Sequence, residues 1–266
     1  MNELKLLIFI FFVSDCSPLS SHFLQPMDKK YNPVIAHRGA WKAKDFPQNS
    51  IASLRNAIDL KCQGSEFDVR MTRDGMLVIN HDEKYQGMDI ETHDLNELLN
   101  IPLPNGEKLP QLSEYLKAGK KDNGHTRLIL EIKPSTIGIE KGKLIAEKVY
   151  DIVQKIKMEK QITFISFDIA ILKKLVSLDK NLSTQYLHGD LSPKEIKSLN
   201  ISGIDYHFSV FKTGHPEWIT EAKELKLQLN AWTVNSKEDL QFFIDNHFDQ
   251  ITTNEPELLF NILSQR

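Results

Sequence analysis

From residue 33 to the C-terminus, short apolar runs rich in β-branched residues alternate with longer stretches of helical period. This alternation marks repeated βα units around a parallel sheet. Nine strand-like runs are legible: Val34–His37, Ser65–Val69, Met76–Asn80, Arg127–Ile132, Ile162–Ser166, Ser183–Leu187, Gly203–Tyr206, Gln228–Trp232 and Asp249–Thr252. The third follows the second across Thr72-Arg73-Asp74-Gly75. An Asp-Gly pair signals a tight hairpin, whereas a parallel neighbour needs a long crossover. With Met76–Asn80 set aside as an antiparallel appendage, eight runs remain, the number that a TIM (β/α)8 barrel requires. An open, doubly wound sheet is the competing architecture. Helices are expected near 50–62, 140–157, 168–179, 192–199, 216–226, 236–245 and 256–264, several with polar starts such as Asp168, Ser192 and Ser236. Only Asp82 to Thr126 breaks the rhythm. That stretch carries Pro102, Pro104, Asn105 and Gly106 and then a short helical pattern at Leu112–Ala118, so it reads as an insertion beside the barrel mouth.

The N-terminal pattern is different. One early lysine, Lys5, precedes the apolar run Leu6 to Val13, which is too short to span a bilayer and reads as an export signal over residues 1–16. Val13-Ser14-Asp15-Cys16 resembles a bacterial lipoprotein cleavage site with Cys16 as the acylated residue, although Asp15 replaces the usual small residue. Residues 17–31 are then a linker and 32–266 the barrel, with 82–126 as its insertion. The expected location is the periplasm or a membrane-anchored lipoprotein of a bacterium. The anchor would be the only membrane contact. The other cysteine, Cys62, has no partner in a processed chain and reads as a buried thiol.

Composition narrows the function. The 266-residue chain is 41% hydrophobic, enough for one sizeable core, and its 33 Lys and Arg against 36 Asp and Glu give a net charge of -3. That balance lacks the basic excess of a nucleic-acid binder.

Polar residues collect where the strands end, and in a barrel the C-terminal strand ends form the active face. Strand side chains alternate, so Glu66 and Asp68 point inward together while Phe67 and Val69 take the other face. Likewise, Glu131 and Lys133 point inward while Leu130 and Ile132 point out. Buried charges of this kind must be paired or bind metal. Glu66, Asp68 and Glu131 compose a hard oxygen site suited to one divalent cation, Mg2+ or Ca2+, rather than zinc. His37 and His81 flank it as candidates for proton transfer in each direction. Arg38 and Lys133 supply fixed positive charge for phosphoryl oxygens. The set suits phosphodiester chemistry.

His37-Arg38-Gly39, Pro47-Gln48-Asn49-Ser50, the run from Gly64 to Gly75, His81-Asp82, Glu131-Ile132-Lys133 and Trp232-Thr233-Val234-Asn235 together resemble the glycerophosphodiester phosphodiesterase family. The resemblance runs from about Pro33 to the C-terminus. It implies a TIM barrel, a metal on Glu66, Asp68 and Glu131, acid–base work by His37 and His81, and phosphate contacts from Arg38 and Lys133. It also implies that Trp232 lines the substrate cavity, that the segment after His81 forms a small insertion, and that the substrate is a small glycerophosphodiester cleaved to glycerol 3-phosphate and an alcohol. One departure stands out. The family usually shows Pro-Glu-Asn-Thr where this chain has Pro47-Gln48-Asn49-Ser50, so a carboxylate has become an amide. Gln48 is expected beside the phosphate or hydrogen-bonded to His37. Two other readings compete: a phospholipase D-like lyase that forms cyclic phosphates, and a silent barrel that binds phosphodiesters without cleaving them. Oligomeric state leaves no mark in the residues.

Overall fold

The computed structural model describes residues 31–266. The expected export segment, Cys16 and all of the linker except Tyr31 lie outside the described residues. In chain order the strands are β1 (Val34–Ala36), β2 (Gly64–Met71), β3 (Leu77–Ile79), β4 (Lys84–Tyr85), β5 (Met88–Asp89) and β6 (Arg127–Ile132). Then come β7 (Ile162–Ser166), β8 (Ser183–Tyr186), β9 (Gly203–His207), β10 (Gln228–Trp232) and β11 (Gln250–Thr253). The helices are α1 (Ile51–Asp59), α2 (Leu95–Leu98), α3 (Leu112–Lys120), α4 (Ile139–Ile156), α5 (Ile169–Leu178), α6 (Pro193–Ser198), α7 (Glu217–Glu224), α8 (Lys237–Asp245) and α9 (Pro256–Ser264). No helix among the described residues is long and apolar enough to cross a membrane.

Eight strands run parallel in the order β1-β2-β6-β7-β8-β9-β10-β11, and β11 pairs again with β1. Closure on both sides of β1 makes the sheet a barrel and excludes the open alternative. As expected, β3 is antiparallel, with Val69 opposite Ile79 and Met71 opposite Leu77. Its turn is a three-residue loop: the Thr72 N–H donates to the Met76 carbonyl, and Gly75 sits at φ 81°. Glycine takes that left-handed angle without a Cβ clash.

Alternation along the strands divides two cores. Phe67, Val69, Leu128, Leu130 and Ile132 face outward into the layer shared with the helices. Ile35, Ile129, Ile165 and Leu187 face the barrel axis, with Phe167 and Trp232 packed on them. The rest of the interior is polar and partly bonded within itself. Gln185 Nε2 donates to Gln228 Oε1 at 3.1 Å and Gln250 Oε1 at 2.9 Å, and Asn230 Nδ2 donates to Thr252 Oγ1 at 2.9 Å. This apolar and amide packing fills the barrel interior around the polar strand ends.

The segment from Asp82 to Thr126 divides in two, which its sequence did not suggest. Its first part, with β4, β5 and α2, builds a small core of Val78, Tyr85, Ile90, Leu95, Leu98 and Leu109. Its last part, α3, packs between α1 and α4 and so belongs to the helical ring rather than to an appendage. Tyr115 on α3 stacks against Phe67 of β2 with ring centroids 4.6 Å apart. The capping box at Gln111 and Glu114 starts this helix. Polar caps also begin three of the expected helices, since Asp168, Ser192 and Ser236 each accept a backbone N–H.

Cys62 is fully buried behind α1, and burial foremost pushes its thiol up to about 12. The thiolate is the reactive species, so Cys62 should resist maleimide in the native protein and react only after denaturation. Peptide-resolved labelling checks this, and rapid native modification of Cys62 would contradict the packing.

Candidate active site

The site begins in the sharp turn that leaves β1. Arg38 has φ 57° and Gly39 φ 81°, two successive left-handed residues that reverse the chain at the barrel mouth. A Cβ on Gly39 would collide with both the side chain and backbone of Ser53, so glycine is required there for conformation and for space. The turn aims the Arg38 N–H at Glu66 Oε2, 2.8 Å away. His37 is held by its ring: Nδ1 lies 2.8 Å from Asn254 Oδ1 beyond β11. The amide oxygen accepts, so Nδ1 carries the proton and Nε2 faces the carboxylates, 3.9 Å from Glu66 Oε2.

Glu66, Asp68 and Glu131 are all buried, and each offers an oxygen within 4.8 Å of the others. Adjacent register explains the encounter, because Asp68 on β2 stands opposite Glu131 on β6. Positive groups surround the cluster. Arg38 Nε is 3.6 Å from Asp68 Oδ2, and Lys133 Nζ is 3.4 Å from Asp68 Oδ1 and 2.7 Å from Glu131 Oε1. Nevertheless Asp68 Oδ1 and Glu131 Oε1 have no hydrogen bond of acceptable direction. Three carboxylates converging this closely in a buried site, with a single ammonium beside two of them, fit a hard divalent cation.

The electrostatics agree. Burial, then the charges of Asp68 and Glu131, hold the Glu66 carboxyl well above its ordinary range. Burial and then Asp68 raise Glu131 to about 7 despite Lys133. Burial would raise Asp68 too, but Lys133, His81 and Arg38 outweigh it and bring it below normal. Burial also opposes the Lys133 charge, yet Glu131 and Asp68 raise its pKa overall. In the protein alone, Glu66 and Glu131 are therefore pushed toward their neutral forms and Asp68 toward its charged form.

His37 is lowered to about 4, mainly by burial and then by Arg38, so it is neutral across the physiological range. Burial also lowers His81. Its Nδ1 is 2.7 Å from Asp82 Oδ1, which leaves Nε2 for the site.

A cavity of about 240 Å³ joins these groups and is lined by His37, Arg38, Glu66, His81, Glu131 and Lys133, with Trp232 on its wall. All the candidate residues named from the sequence except Asp68 and Gln48 border it, and both of those contact Arg38. A second, open groove of about 650 Å³ lies outside, lined by Arg70, Asp82, Glu83 and Lys84 and again by His81 and Lys133. His81 and Lys133 stand on the boundary between the two.

Gln48 departs from half of its expectation. Its Oε1 accepts from Arg38 Nη1 at 2.8 Å, whereas Asn254 holds His37. The partner of the histidine comes from the opposite end of the chain, and no local spacing could have named it. Asn49 was missed as well. Its Nδ2 donates to Asp68 Oδ2 at 2.8 Å and its Oδ1 accepts the Asp68 N–H at 3.2 Å, from a left-handed backbone of φ 60° that asparagine tolerates. Asp205, Phe167, Leu187 and Thr252 complete the cavity wall. Their inward positions on later strands follow from alternation once the strand ends are known.

Comparisons with known proteins converge on the same chemistry. The family model "Glycerophosphoryl diester phosphodiesterase family" matches residues 37–258. A glycerophosphodiester phosphodiesterase of Caldanaerobacter subterraneus is 30% identical over 245 residues, covering 86% of this chain and 97% of its own. The crystal structure of a glycerophosphodiester phosphodiesterase from Parabacteroides distasonis superposes with a TM-score of 0.86 at 40% identity, covering 89% of this chain and 98% of that one. A phosphodiesterase from Oleispira antarctica, solved in complex with the product sn-glycerol-3-phosphate, shares the fold with a TM-score of 0.75 at 20% identity.

The raised Glu131 makes a testable difference. Its folded pKa of about 7 exceeds the ordinary 4.5, so its contribution to stability is complete below about pH 4.5 and lost as pH rises through 7. Glutamine does not titrate. In chelator, the melting temperature of Glu131→Gln relative to wild type should therefore rise from pH 5 to pH 8, as followed by thermal unfolding. A difference that stays flat with pH would show that the carboxyl is not strained by its neighbours.

With a family match across most of the chain, a closed barrel and an acidic cluster at its mouth, this chain belongs to the glycerophosphodiester phosphodiesterase family and is an enzyme of phosphodiester hydrolysis.

Proposed function

We propose that the chain hydrolyses a small glycerophosphodiester to glycerol 3-phosphate and an alcohol, with Glu66, Asp68 and Glu131 holding one Mg2+ or Ca2+ ion and His37 and His81 moving the protons. The observation that carries this reading is the buried cluster of three converging carboxylates, set between two basic side chains and two histidines. The product found in the Oleispira antarctica barrel supports the choice of glycerol 3-phosphate. A bound divalent cation would supply Lewis acidity toward a phosphoryl oxygen.

The remaining work falls to this chain's own groups. Arg38 and Lys133 are fixed before substrate arrives, so their charges meet the phosphoryl oxygens with little reorganisation. His37, neutral and oriented by Asn254, presents Nε2 as the base that takes a proton from the attacking water, whose oxygen bonds phosphorus as the P–O bond to the alcohol breaks. His81 borders both the inner cavity and the outer groove, which supports a role for it beside an alcohol departing outward. A phosphodiester anion beside it raises its proton affinity, and Asp82 steadies the imidazolium. Thus His81 is the acid and His37 the base.

Three measurements test the scheme. Glu66→Gln and Asp68→Asn should each abolish turnover and weaken binding of Mg2+ or Ca2+ in calorimetry while leaving the melting temperature near that of the metal-free wild type. Near-normal turnover in either variant would remove the ligand assignment.

His37→Ala and His81→Ala should each cost at least about 10²-fold in kcat on natural diesters, the usual scale for losing a general acid or base. Their responses to leaving group should then separate. A nitrophenyl diester of glycerol phosphate expels an alcohol that needs no proton, so the His81→Ala defect should shrink at least tenfold while the His37→Ala defect persists. The reverse pattern would exchange the two roles. Product analysis completes the test, since a cyclic glycerol phosphate as the end product would make the enzyme a lyase.

A further inference from the structure

One carboxyl group on the inner cavity has no part in the reaction just described. Asp205 points inward from β9, opposite Asn230 of β10, and is only 1% exposed while lining the cavity. Its Oδ1 is buried without a hydrogen-bond partner. The neighbouring Asn230 amide, which lies close enough to Asp205 to favour its charged form, makes its hydrogen bond at 2.9 Å to Thr252 Oγ1, and Trp232 Nε1 donates to the Asp205 backbone carbonyl at 2.9 Å rather than to its side chain. Around it the wall is largely apolar, formed by Ile165, Leu187, Phe167 and Trp232. An unpartnered buried oxygen at such a wall calls for a ligand hydroxyl.

The cavity also limits which part of the substrate enters. At about 240 Å³ it is smaller than the ~300–1,000 Å³ typical of pockets for drug-sized ligands. A three-carbon polyol fits that space, whereas a polyol and a second headgroup together need the open groove beyond His81. A pose with the glycerol half inside and the variable alcohol in the open groove uses both spaces.

We propose, resting on the hydrolysis argued above, that Asp205 hydrogen-bonds the glycerol hydroxyl farthest from phosphorus and thereby makes the enzyme selective for glycerol-type diesters. Burial foremost, and the Glu131 charge after the opposing Asn230 amide, hold the Asp205 carboxyl well above its ordinary range. A neutral carboxyl group both donates and accepts, so it can satisfy a hydroxyl in either sense. It is a specificity residue, remote from the bond that breaks.

Kinetics on the full chain test this with glycerophosphoethanolamine and its analogue lacking the terminal glycerol hydroxyl, a propane-1,2-diol diester. A site built around a hydroxyl rejects the analogue without it. Wild type should prefer the glycerol compound at least tenfold in kcat/KM. Asp205→Asn, which keeps a donor and an acceptor, should retain most of that preference. Asp205→Leu should bring the two substrates within threefold of one another, by losing activity on the glycerol compound more than on the analogue.

A wild-type preference under threefold overturns the proposal without recourse to any variant, as does a folded Asp205→Leu that keeps the wild-type preference. Should wild type hydrolyse neither diester, the proposed function fails first. Binding of glycerol 3-phosphate against propane-1,2-diol 1-phosphate to the protein with Mg2+, by calorimetry, then decides the Asp205 question alone: at least tenfold tighter binding of the first supports it, and equal binding overturns it.

Discussion

Three carboxylates within 4.8 Å of one another in a buried site form the constraint around which the mouth of this barrel is organised. Each would be expensive to bury alone, and together they repel. The structure meets that cost with the Arg38 backbone N–H on Glu66, the Asn49 amide on Asp68 and the Lys133 ammonium beside Asp68 and Glu131. Compensation is shared, since the one Lys133 ammonium serves an oxygen of Asp68 and an oxygen of Glu131 together. The raised Glu66 and Glu131 and the lowered Asp68 are three expressions of one crowded charge cluster. A divalent cation is the natural completion of such a group, and the same positive side chains that steady it would face a phosphate.

The surrounding architecture makes that tension tolerable. In the polar part of the interior the Gln185 amide nitrogen donates to both Gln228 and Gln250, and the apolar layer of Ile35, Ile129, Ile165 and Leu187 shares the barrel axis with the charged cluster. A packed barrel is rigid, so its strand ends hold the site with little side-chain freedom to lose on binding. The loops contribute what rigidity cannot: the left-handed turn at Arg38 and Gly39 bends a backbone N–H toward Glu66, and the small folded unit from β4 to α2 follows directly on His81 and Asp82. The two histidines of the site therefore come from strand-end turns and its three carboxylates from strands.

Much of this was legible along the chain. Alternation around Phe67 and Ile132 was enough to turn Glu66, Asp68, Glu131 and Lys133 inward, and the Asp-Gly turn correctly removed β3 from the barrel count. These features are local, because a strand's period and a hairpin's turn chemistry are settled by adjacent residues. What stayed hidden was non-local. Asn254 lies 217 residues from His37, Asn49 lies 19 from Asp68, and Gln48 chose Arg38 over the histidine. The role of α3 in the helical ring was also hidden, since an amphipathic helix does not record which neighbours cover it.

The sequence by itself thus determined the barrel, the inward faces of its strands and the set of residues able to do phosphodiester chemistry, because period and residue type act over a few positions. Only the tertiary structure decided how those residues share the work. Closure of β11 onto β1 brings Asn254 to His37, and register between β2 and β6 brings Asp68 to Glu131. The fold of the segment after β3 sets His81 between the inner cavity and the more open groove. Burial, and with it every shifted pKa in the site, exists only when distant segments exclude water from one another.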